Sequence, residues 1–310
     1  MSKFGLRKLG FGILLFGMAV CCYTASPVKA AETDVPIDNK TFPDATFLKY
    51  VGRFDKSGDG RLSESERNAV KEIVVNVDPF SSQTKITSLA GIEYFPNLTV
   101  LECESNSLAG LDVTKNKKLQ ELNCDKNNLQ SLDVSQNTEL IKLQCRYNQL
   151  PGLDLTKNTN LQKLWIYENQ ISSIDLSKNT ELVELACGNN PLTSLDVSQN
   201  TKLEGLHVYN TQVTALDLSN MTNLTTLAFY NNNLTSLNIS GDTALKTLSC
   251  YQNRLTSLDI GDSSELTDVS CSQNGITELD LSQNTQLENL HCANNSLTTL
   301  DVSKNLNITS

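Results

Sequence analysis

The stretch "DKSGDGRLSESE", residues 55–66, carries oxygen-bearing side chains at the spacing that a bound calcium ion needs. It fits the pattern D-x-[DN]-x-[DN]-G-x5-E, except that a serine stands at the third position. In this pattern five side chains and one backbone carbonyl hold the ion, and a central glycine makes the sharp turn. The sequence therefore predicts a structural Ca²⁺ site of the weak extracellular kind, with the ligands Asp55, Ser57, Asp59, Arg61 (carbonyl), Ser63 and Glu66.

Helices are predicted on both sides of this loop, as in an EF-hand. Pro43 can open the first helix, whose apolar face includes Phe47 and Tyr50, and the second helix is predicted from Ser63 to about Ile73. The alternative is a degenerate loop that keeps only the fold of an EF-hand and serves as a cap without binding metal. The sequence leaves both interpretations open.

Seven cysteines follow the first thirty residues, and every gap between them is 21 residues or a multiple of 21. An aliphatic residue stands two positions before each, and an asparagine stands three positions after each. The unit L-x-C-x-x-N-x-L-x-x-L-D-x-S-x-N-T-x-L-x-x occurs ten times, which is the leucine-rich-repeat pattern. This Cys column comprises Cys103, Cys124, Cys145, Cys187, Cys250, Cys271 and Cys292, with Ile166, Val208 and Phe229 in the gaps.

These repeats predict an α/β solenoid: a curved leucine-rich-repeat horseshoe with a parallel β-sheet on its concave face and a small α-helical N-terminal cap. Alternation in L-x-C places both apolar side chains on one face of a short strand. Ten strands about 4.8 Å apart give a sheet roughly 50 Å long. We expect a truncated or unusual C-terminal end, since no capping element is evident there. The predicted divisions are a signal peptide (1–30), a linker (31–41), a helical EF-hand-like cap (42–85) and a repeat domain (86–310) of ten 21-residue repeats plus one longer repeat at its start.

Reduced thiols in the core are the expected state of the Cys column. Neighbouring cysteines in a parallel sheet have Cβ vectors that run side by side, which disfavours disulfides. A zinc site would want four convergent ligands, and the column contains no histidine. Disulfides and metal are the less favoured alternatives. The aspartate nine positions after each column member is interpreted as turn chemistry.

Binding is expected where the repeats differ and the side chains point outward, at positions −3, −1, +1 and +2 relative to the Cys column. These positions hold the only Trp, both His and five of the eight Tyr. Tyr and Trp are enriched at binding sites because they combine apolar area with a polar tip. The alternative is that aromatic residues simply have high strand propensity. The predicted binding residues are Arg146, Tyr147, Trp165, Tyr167, His207, Tyr209, Tyr230 and Tyr251.

Neither catalysis nor nucleic-acid binding is predicted. His207 and His291 are four repeats apart, or roughly 19 Å at the strand spacing, so they cannot serve one reaction. The sequence contains no nucleophile elbow and no phosphate-binding loop. Its net charge of −10 argues against a nucleic-acid partner, since phosphate binding needs clustered Lys and Arg.

The first thirty residues predict export. The basic pair Arg7-Lys8 precedes an apolar run from Leu9 to Tyr23, and Val28-Lys29-Ala30 fits a cleavage site. This start resembles the signal peptides of Gram-positive surface proteins; lipid attachment at Cys21 is the less favoured alternative. Removing four Lys/Arg and no Asp/Glu gives a mature charge of −10 − 4 = −14. No second apolar run of membrane-spanning length follows, so a secreted or cell-surface protein without a transmembrane segment is predicted.

The 21-residue unit with its cysteines and Asn-Thr turns, as in "LDVSQNTELIKLQC", resembles the internalin-J-type leucine-rich-repeat proteins of bacterial surfaces. The resemblance covers roughly residues 42–310. It implies a surface-exposed binding or adhesion factor that recognises a protein or glycan on another cell or matrix. The alternative function is a structural spacer or stalk that holds another module away from the cell wall.

Overall fold

The structure, a computed structural model, describes residues 33–80 and 82–309; the predicted signal peptide lies outside the described residues. The described part begins with a small cap in which two short strands pair antiparallel across the predicted calcium loop. The cap elements are β1 (Val35–Pro36), α1 (Ala45–Val51), a 3-10 turn (Gly52–Phe54), β2 (Arg61–Leu62) and α2 (Glu64–Ala69).

Both cap helices begin where a side chain accepts hydrogen bonds from first-turn N–H groups. Asp44 does so for α1, and Ser63 forms a capping box with Glu66 at α2. The prediction that α2 continues to about Ile73 was wrong. The helix ends at Ala69, because residues 72–74 form a strand and bond to the next strand of the sheet instead. Tertiary pairing overrides local helix propensity here.

One 11-stranded parallel sheet extends from this strand to the last repeat, in the order β15-β14-β13-β11-β9-β8-β7-β6-β5-β4-β3. The strand β3 lies within residues 42–85, so the cap segment itself supplies the first strand. The predicted parallel-sheet leucine-rich-repeat solenoid with a small helical cap is confirmed. A separate parallel pair, β10 and β12, forms elsewhere in the repeats. The strands are β3 (Glu72–Val74), β4 (Val100–Glu102), β5 (Glu121–Asn123), β6 (Lys142–Gln144), β7 (Lys163–Trp165), β8 (Glu184–Ala186), β9 (Gly205–His207), β10 (Ala215–Asp217), β11 (Thr226–Ala228), β12 (Ser236–Asn238), β13 (Thr247–Ser249), β14 (Asp268–Ser270) and β15 (Asn289–His291).

The Cys column lies in the core, beside the aliphatic column that precedes it. All seven cysteines are free, and six are buried while Cys292 is half-buried. Burial raises the pKa of these thiols, to about 12 for Cys187. They therefore act as small apolar residues with little thiolate character.

The asparagine three positions after the Cys column joins consecutive repeats. In one repeat, Asn148 Nδ2 donates to the carbonyls of Cys145 and Cys124 at 3.1 and 3.0 Å, and its Oδ1 accepts from the Leu129 N–H at 3.0 Å. The same bonds recur along the solenoid, as the donor and acceptor capacity of an amide predicts. The aspartate at +9 has its predicted turn role; Asp133, for example, accepts from the Ser135 N–H at 2.9 Å.

A second asparagine ladder lies 13 positions after the Cys column, at the Asn-Thr turns of the repeat unit, where the sequence predicts turn chemistry. In it Asn137 Nδ2 donates to the carbonyls of Val113 and Asn116, both at 2.9 Å. Three successive repeats carry other residues at this position, namely Met221, Asp242 and Ser263.

The cap covers the apolar end of the first repeats. Phe42, Phe47 and Phe95 are fully buried, and the rings of Phe54 and Phe95 meet edge-on with centroids 5.6 Å apart. A solenoid needs such a cover because its terminal leucines would otherwise face water.

Candidate functional site

The residues at positions −3, −1, +1 and +2 of the Cys column form what we call the outer sheet face, on the side of the sheet opposite the buried columns. All eight predicted binding residues lie on this face. Seven of them are half-buried, and Tyr147 is exposed. The structure therefore brings the predicted residues together on one surface.

Three tyrosines at position +1 form a stacked ladder on this face. The ring centroids of Tyr209 and Tyr230 are 4.9 Å apart, with an angle of 2° between the ring planes. Those of Tyr230 and Tyr251 are 4.6 Å apart, with an angle of 4°. The spacing follows from the strand spacing of the parallel sheet. Because the rings cover one another's faces, this tyrosine ladder presents ring edges and hydroxyls to a ligand.

A glycine lets the aromatic surface continue past the ladder. A Cβ on Gly188 would lie 2.8 Å from the Tyr209 ring, so the ring covers this position. Tyr209 thereby reaches the Tyr167 ring, with centroids 6.5 Å apart, and Tyr167 meets Tyr147 edge-on at 5.4 Å. Burial also raises the pKa of Tyr209 to about 12, which keeps its hydroxyl protonated. Five tyrosine rings therefore form one continuous surface.

Arg146 is held by Asp125 and is not a free cation. Asp125 is fully buried, and it accepts from the Arg146 backbone N–H at 2.6 Å and from the guanidinium. Burial raises the pKa of the Asp125 carboxyl, and the Arg146 charge and hydrogen bonds oppose that rise. Arg146 Nη1 also donates to the Tyr167 hydroxyl at 3.0 Å. Arg146 thus positions the neighbouring aromatic ring.

Trp165 and His207 border a shallow pocket of about 240 Å³ on the outer sheet face. Two cations lie over the indole ring: Arg146 at 5.1 Å and Lys142 at 5.5 Å from its centroid. The indole N–H is shielded from solvent and has no hydrogen-bond partner. The pocket is lined by Arg146, Trp165, Tyr167, Glu184, Ala186, His207 and Tyr209.

The small residues Ala186 and Gly188, which shape this surface, were not among the predicted binding residues. The sequence does mark both positions, because each is a small residue that stands between aromatic or imidazole side chains in the same column of the repeats. Position +2 has a left-handed backbone in every repeat, such as φ 54° at Asn210, which was not predicted from the sequence. Asparagine tolerates this conformation, and Asn210 donates to the Asn189 amide oxygen at 2.6 Å.

The loop of residues 55–66 is closed by its own carboxylates. Glu66 accepts from the N–H groups of Lys56, Ser57 and Ser63 at 2.6, 3.1 and 2.8 Å. Asp55 accepts from the Gly60 N–H at 2.9 Å. Within residues 33–80 and 82–309, no three His, Cys, Asp or Glu side chains are gathered closely enough to hold a metal. The donor set consists of oxygens, which Ca²⁺ prefers, but binding would require Glu66 to release backbone donors.

Comparison with known proteins identifies similar folds. The family "Leucine Rich repeats (2 copies)" matches residues 159–200, whereas no curated protein matches the sequence. The functional domain of InlJ from Listeria monocytogenes, which includes a cysteine ladder, is 34% identical with a TM-score of 0.83; the match covers 90% of this chain and 61% of that one. The chain therefore spans about three fifths of that structure's length.

Two more distant structures share the fold alone. The internalin InlF from Listeria monocytogenes is 23% identical with a TM-score of 0.70, covering 90% of this chain and 91% of that one. A leucine-rich-repeat protein from Leptospira interrogans is 22% identical with a TM-score of 0.54, and the match covers 79% of this chain and 78% of that one. In the described part of the chain, no helix is long and apolar enough to cross a membrane.

Proposed function

We propose a binding function for this chain, which belongs to the internalin-like leucine-rich-repeat proteins with a cysteine ladder. The chain is an exported, surface-associated protein that recognises a protein or glycan on another cell or matrix. Its outer sheet face makes the contact. The leucine-rich-repeat fold supports an interaction role, and the signal-peptide pattern of residues 1–30 supports export.

The observation that carries this proposal is the continuous tyrosine surface from Tyr147 to Tyr251. Half-buried tyrosine side chains lose little conformational entropy when they bind a partner, because packing already restricts them, and their hydroxyls can reach that partner. High strand propensity explains aromatic residues on strands in general. It does not explain Gly188, whose missing side chain lets Tyr209 reach the Tyr167 ring.

Phenylalanine substitutions test this proposal without breaking the tyrosine ladder. The double variant Tyr209→Phe/Tyr230→Phe keeps both stacked rings and removes two hydroxyls. We expect at least tenfold weaker binding to fixed epithelial cells and to an immobilised matrix extract, with an unchanged melting temperature. The matched control, Lys178→Ala/Gln199→Ala, changes two exposed turn residues outside the outer sheet face. It should bind like the unaltered chain.

Equal binding by the phenylalanine variant, by the variant Tyr209→Ala/Tyr230→Ala and by the control would contradict this function. That result would favour the spacer, in which the solenoid only separates another module from the cell wall. Treating the cells with protease or with glycosidases before binding distinguishes protein partners from glycan partners.

We also propose that the loop of residues 55–66 binds Ca²⁺ and thereby rigidifies the cap. Calorimetric titration of the chain lacking residues 1–30 should show one weak site for Ca²⁺. Glu66→Gln should abolish the heat, whereas Glu64→Gln, a neighbouring carboxylate outside the ligand pattern, should leave it unchanged. No heat with the unaltered chain, or equal heat with both variants, would refute the site.

A further inference from the structure

One repeat interrupts two columns of rings on the outer sheet face with small residues. The −1 column reads Trp165, Ala186, His207, and the +1 column reads Tyr167, Gly188, Tyr209. The gap at +1 is closed, because the Tyr209 ring covers Gly188 and reaches Tyr167. The gap at −1 remains open and is the pocket of about 240 Å³. The repeat with Ala186 and Gly188 therefore leaves two gaps, of which the one at Gly188 is filled by Tyr209 and the one at Ala186 is open.

The width of the open gap suits one ring. Trp165 and His207 are on β7 and β9, two strand spacings or about 9.6 Å apart. Two ring contacts of about 3.5–4.0 Å each need about 7–8 Å between the walls. Ala186, on the strand between them, is only 7% exposed and forms the floor. A flat or saturated ring fits between the two side chains.

One face of the indole is available to this gap. Lys142 and Arg146, which lie over the ring, both come from the preceding repeat, whereas Ala186 belongs to the following one. The face on the β8 side borders Ala186 instead. An indole face is apolar and favours C–H groups or another ring.

The rim of the gap is polar but has no unpaired charge. Asp125 neutralises Arg146, and Lys163 lies 3.7 Å from Glu184. Burial lowers the pKa of His207, so its imidazole is neutral at pH 7. The Glu184 carboxylate can accept hydrogen bonds, and the Tyr209 hydroxyl can donate or accept. An ionised ligand gains little here, whereas a ring with apolar faces and hydroxyls at its edges matches both walls and rim.

We infer that the gap over Ala186 is a subsite for a neutral pyranose ring of a glycan, held between Trp165 and His207. The inference rests on the proposed function and assigns a ligand class to part of the same face. Tyr230 is stacked on both faces, by Tyr209 and by Tyr251, whereas the Trp165 indole borders the open gap over Ala186.

Trp165 is the only tryptophan of the chain, so its fluorescence reports this subsite directly. We would titrate the chain lacking residues 1–30 with methyl glycosides of neutral hexoses and N-acetylhexosamines, and screen it on an array of neutral and sialylated glycans. A saturable change in Trp165 emission with a neutral glycan is expected, and sialylated caps should not strengthen binding. Ala186→Leu fills the gap and should weaken binding at least tenfold.

The matched control is Ala228→Leu, in the same −1 column but between His207 and Ser249. It should keep its affinity within twofold, and both variants should keep the original melting temperature. If no neutral glycan binds, or if Ala186→Leu binds sugar as well as the control does, the inference is overturned. The proposed function survives that outcome when Tyr209→Phe/Tyr230→Phe still loses cell or matrix binding. Protease-sensitive binding blocked by Ala186→Leu would instead identify a peptide in the gap and would also overturn the inference.

Discussion

Replacing Asp242 with asparagine should stabilise the solenoid, and the gain should grow with pH. Asp242 is fully buried in the second asparagine ladder. Its Oδ1 accepts from the Met221 N–H at 2.7 Å, whereas its Oδ2 has no partner. In regular repeats the amide donates to carbonyls 24 and 21 positions earlier, as Asn137 does. An ionised carboxylate cannot donate to the equivalent carbonyls of Leu218 and Met221.

The size of the effect follows from the ionisation of this buried group. Burial raises the pKa of Asp242 from 3.8 to about 7, with smaller contributions from Asp217 and Asp262. Each pKa unit corresponds to about 1.4 kcal/mol, so about 4 kcal/mol is the upper bound of the ionisation cost. Two restored amide bonds add about 1 kcal/mol each. Allowing for local relaxation, we expect Asp242→Asn to gain about 2–4 kcal/mol at pH 8.

The pH dependence has a definite sign. The pKa of Asp242 is higher in the folded chain than in the unfolded chain. Its contribution to folding stability is therefore fully present below about pH 4 and is lost as the pH rises from about 4 through 7. Asparagine does not titrate. The gain of Asp242→Asn should therefore fall to about 1–2 kcal/mol at pH 4, where only the restored amide bonds remain.

Urea unfolding followed by circular dichroism at pH 4, 6 and 8 measures this gain. The matched control is Asp262→Asn, an exposed aspartate close to Asp242 that accepts from the Gly241 N–H at 2.9 Å. It should not reproduce the pH-dependent gain. Parallel stability–pH curves for Asp242→Asn and the unaltered chain, or a loss of stability at pH 8, would refute the reasoning.

Three further predictions concern the outer face and the core. Asp125→Asn leaves Arg146 without its anionic partner and should lower the unfolding free energy by about 1–3 kcal/mol, since Arg146 is partly exposed; an unchanged urea midpoint would contradict the pairing. Gly188→Ala places a Cβ 2.8 Å from the Tyr209 ring and should displace it; near-ultraviolet circular dichroism should change, and an identical spectrum would argue against this packing. In the native chain lacking residues 1–30, a thiol reagent at pH 8 should react first with the half-buried Cys292. Cys292→Ser should remove this fast phase of the reaction, whereas rapid reaction of several thiols would exclude a closed core.

Several parts of the fold could be predicted because each repeat encodes them locally. The L-x-C alternation, the asparagine three positions later and the turn aspartate recur every 21 residues, so stacking aligns like with like. Cys145, Asn148 and Asp133 accordingly have the predicted burial and bonding. The end of α2 could not be predicted this way, because strand pairing between residues 72–74 and β4 competes with the helix.

The sequence by itself determined which residues reach the outer sheet face, since that depends only on position within the repeat. What the face presents was decided by the tertiary structure. The stacking of Tyr209 on Tyr230, the pairing of Arg146 with Asp125 and the open gap over Ala186 all join different repeats. Each depends on how a side chain leans toward a neighbour 21 or more residues away. Rotamers respond to the space that adjacent strands leave, and a linear pattern does not record that space.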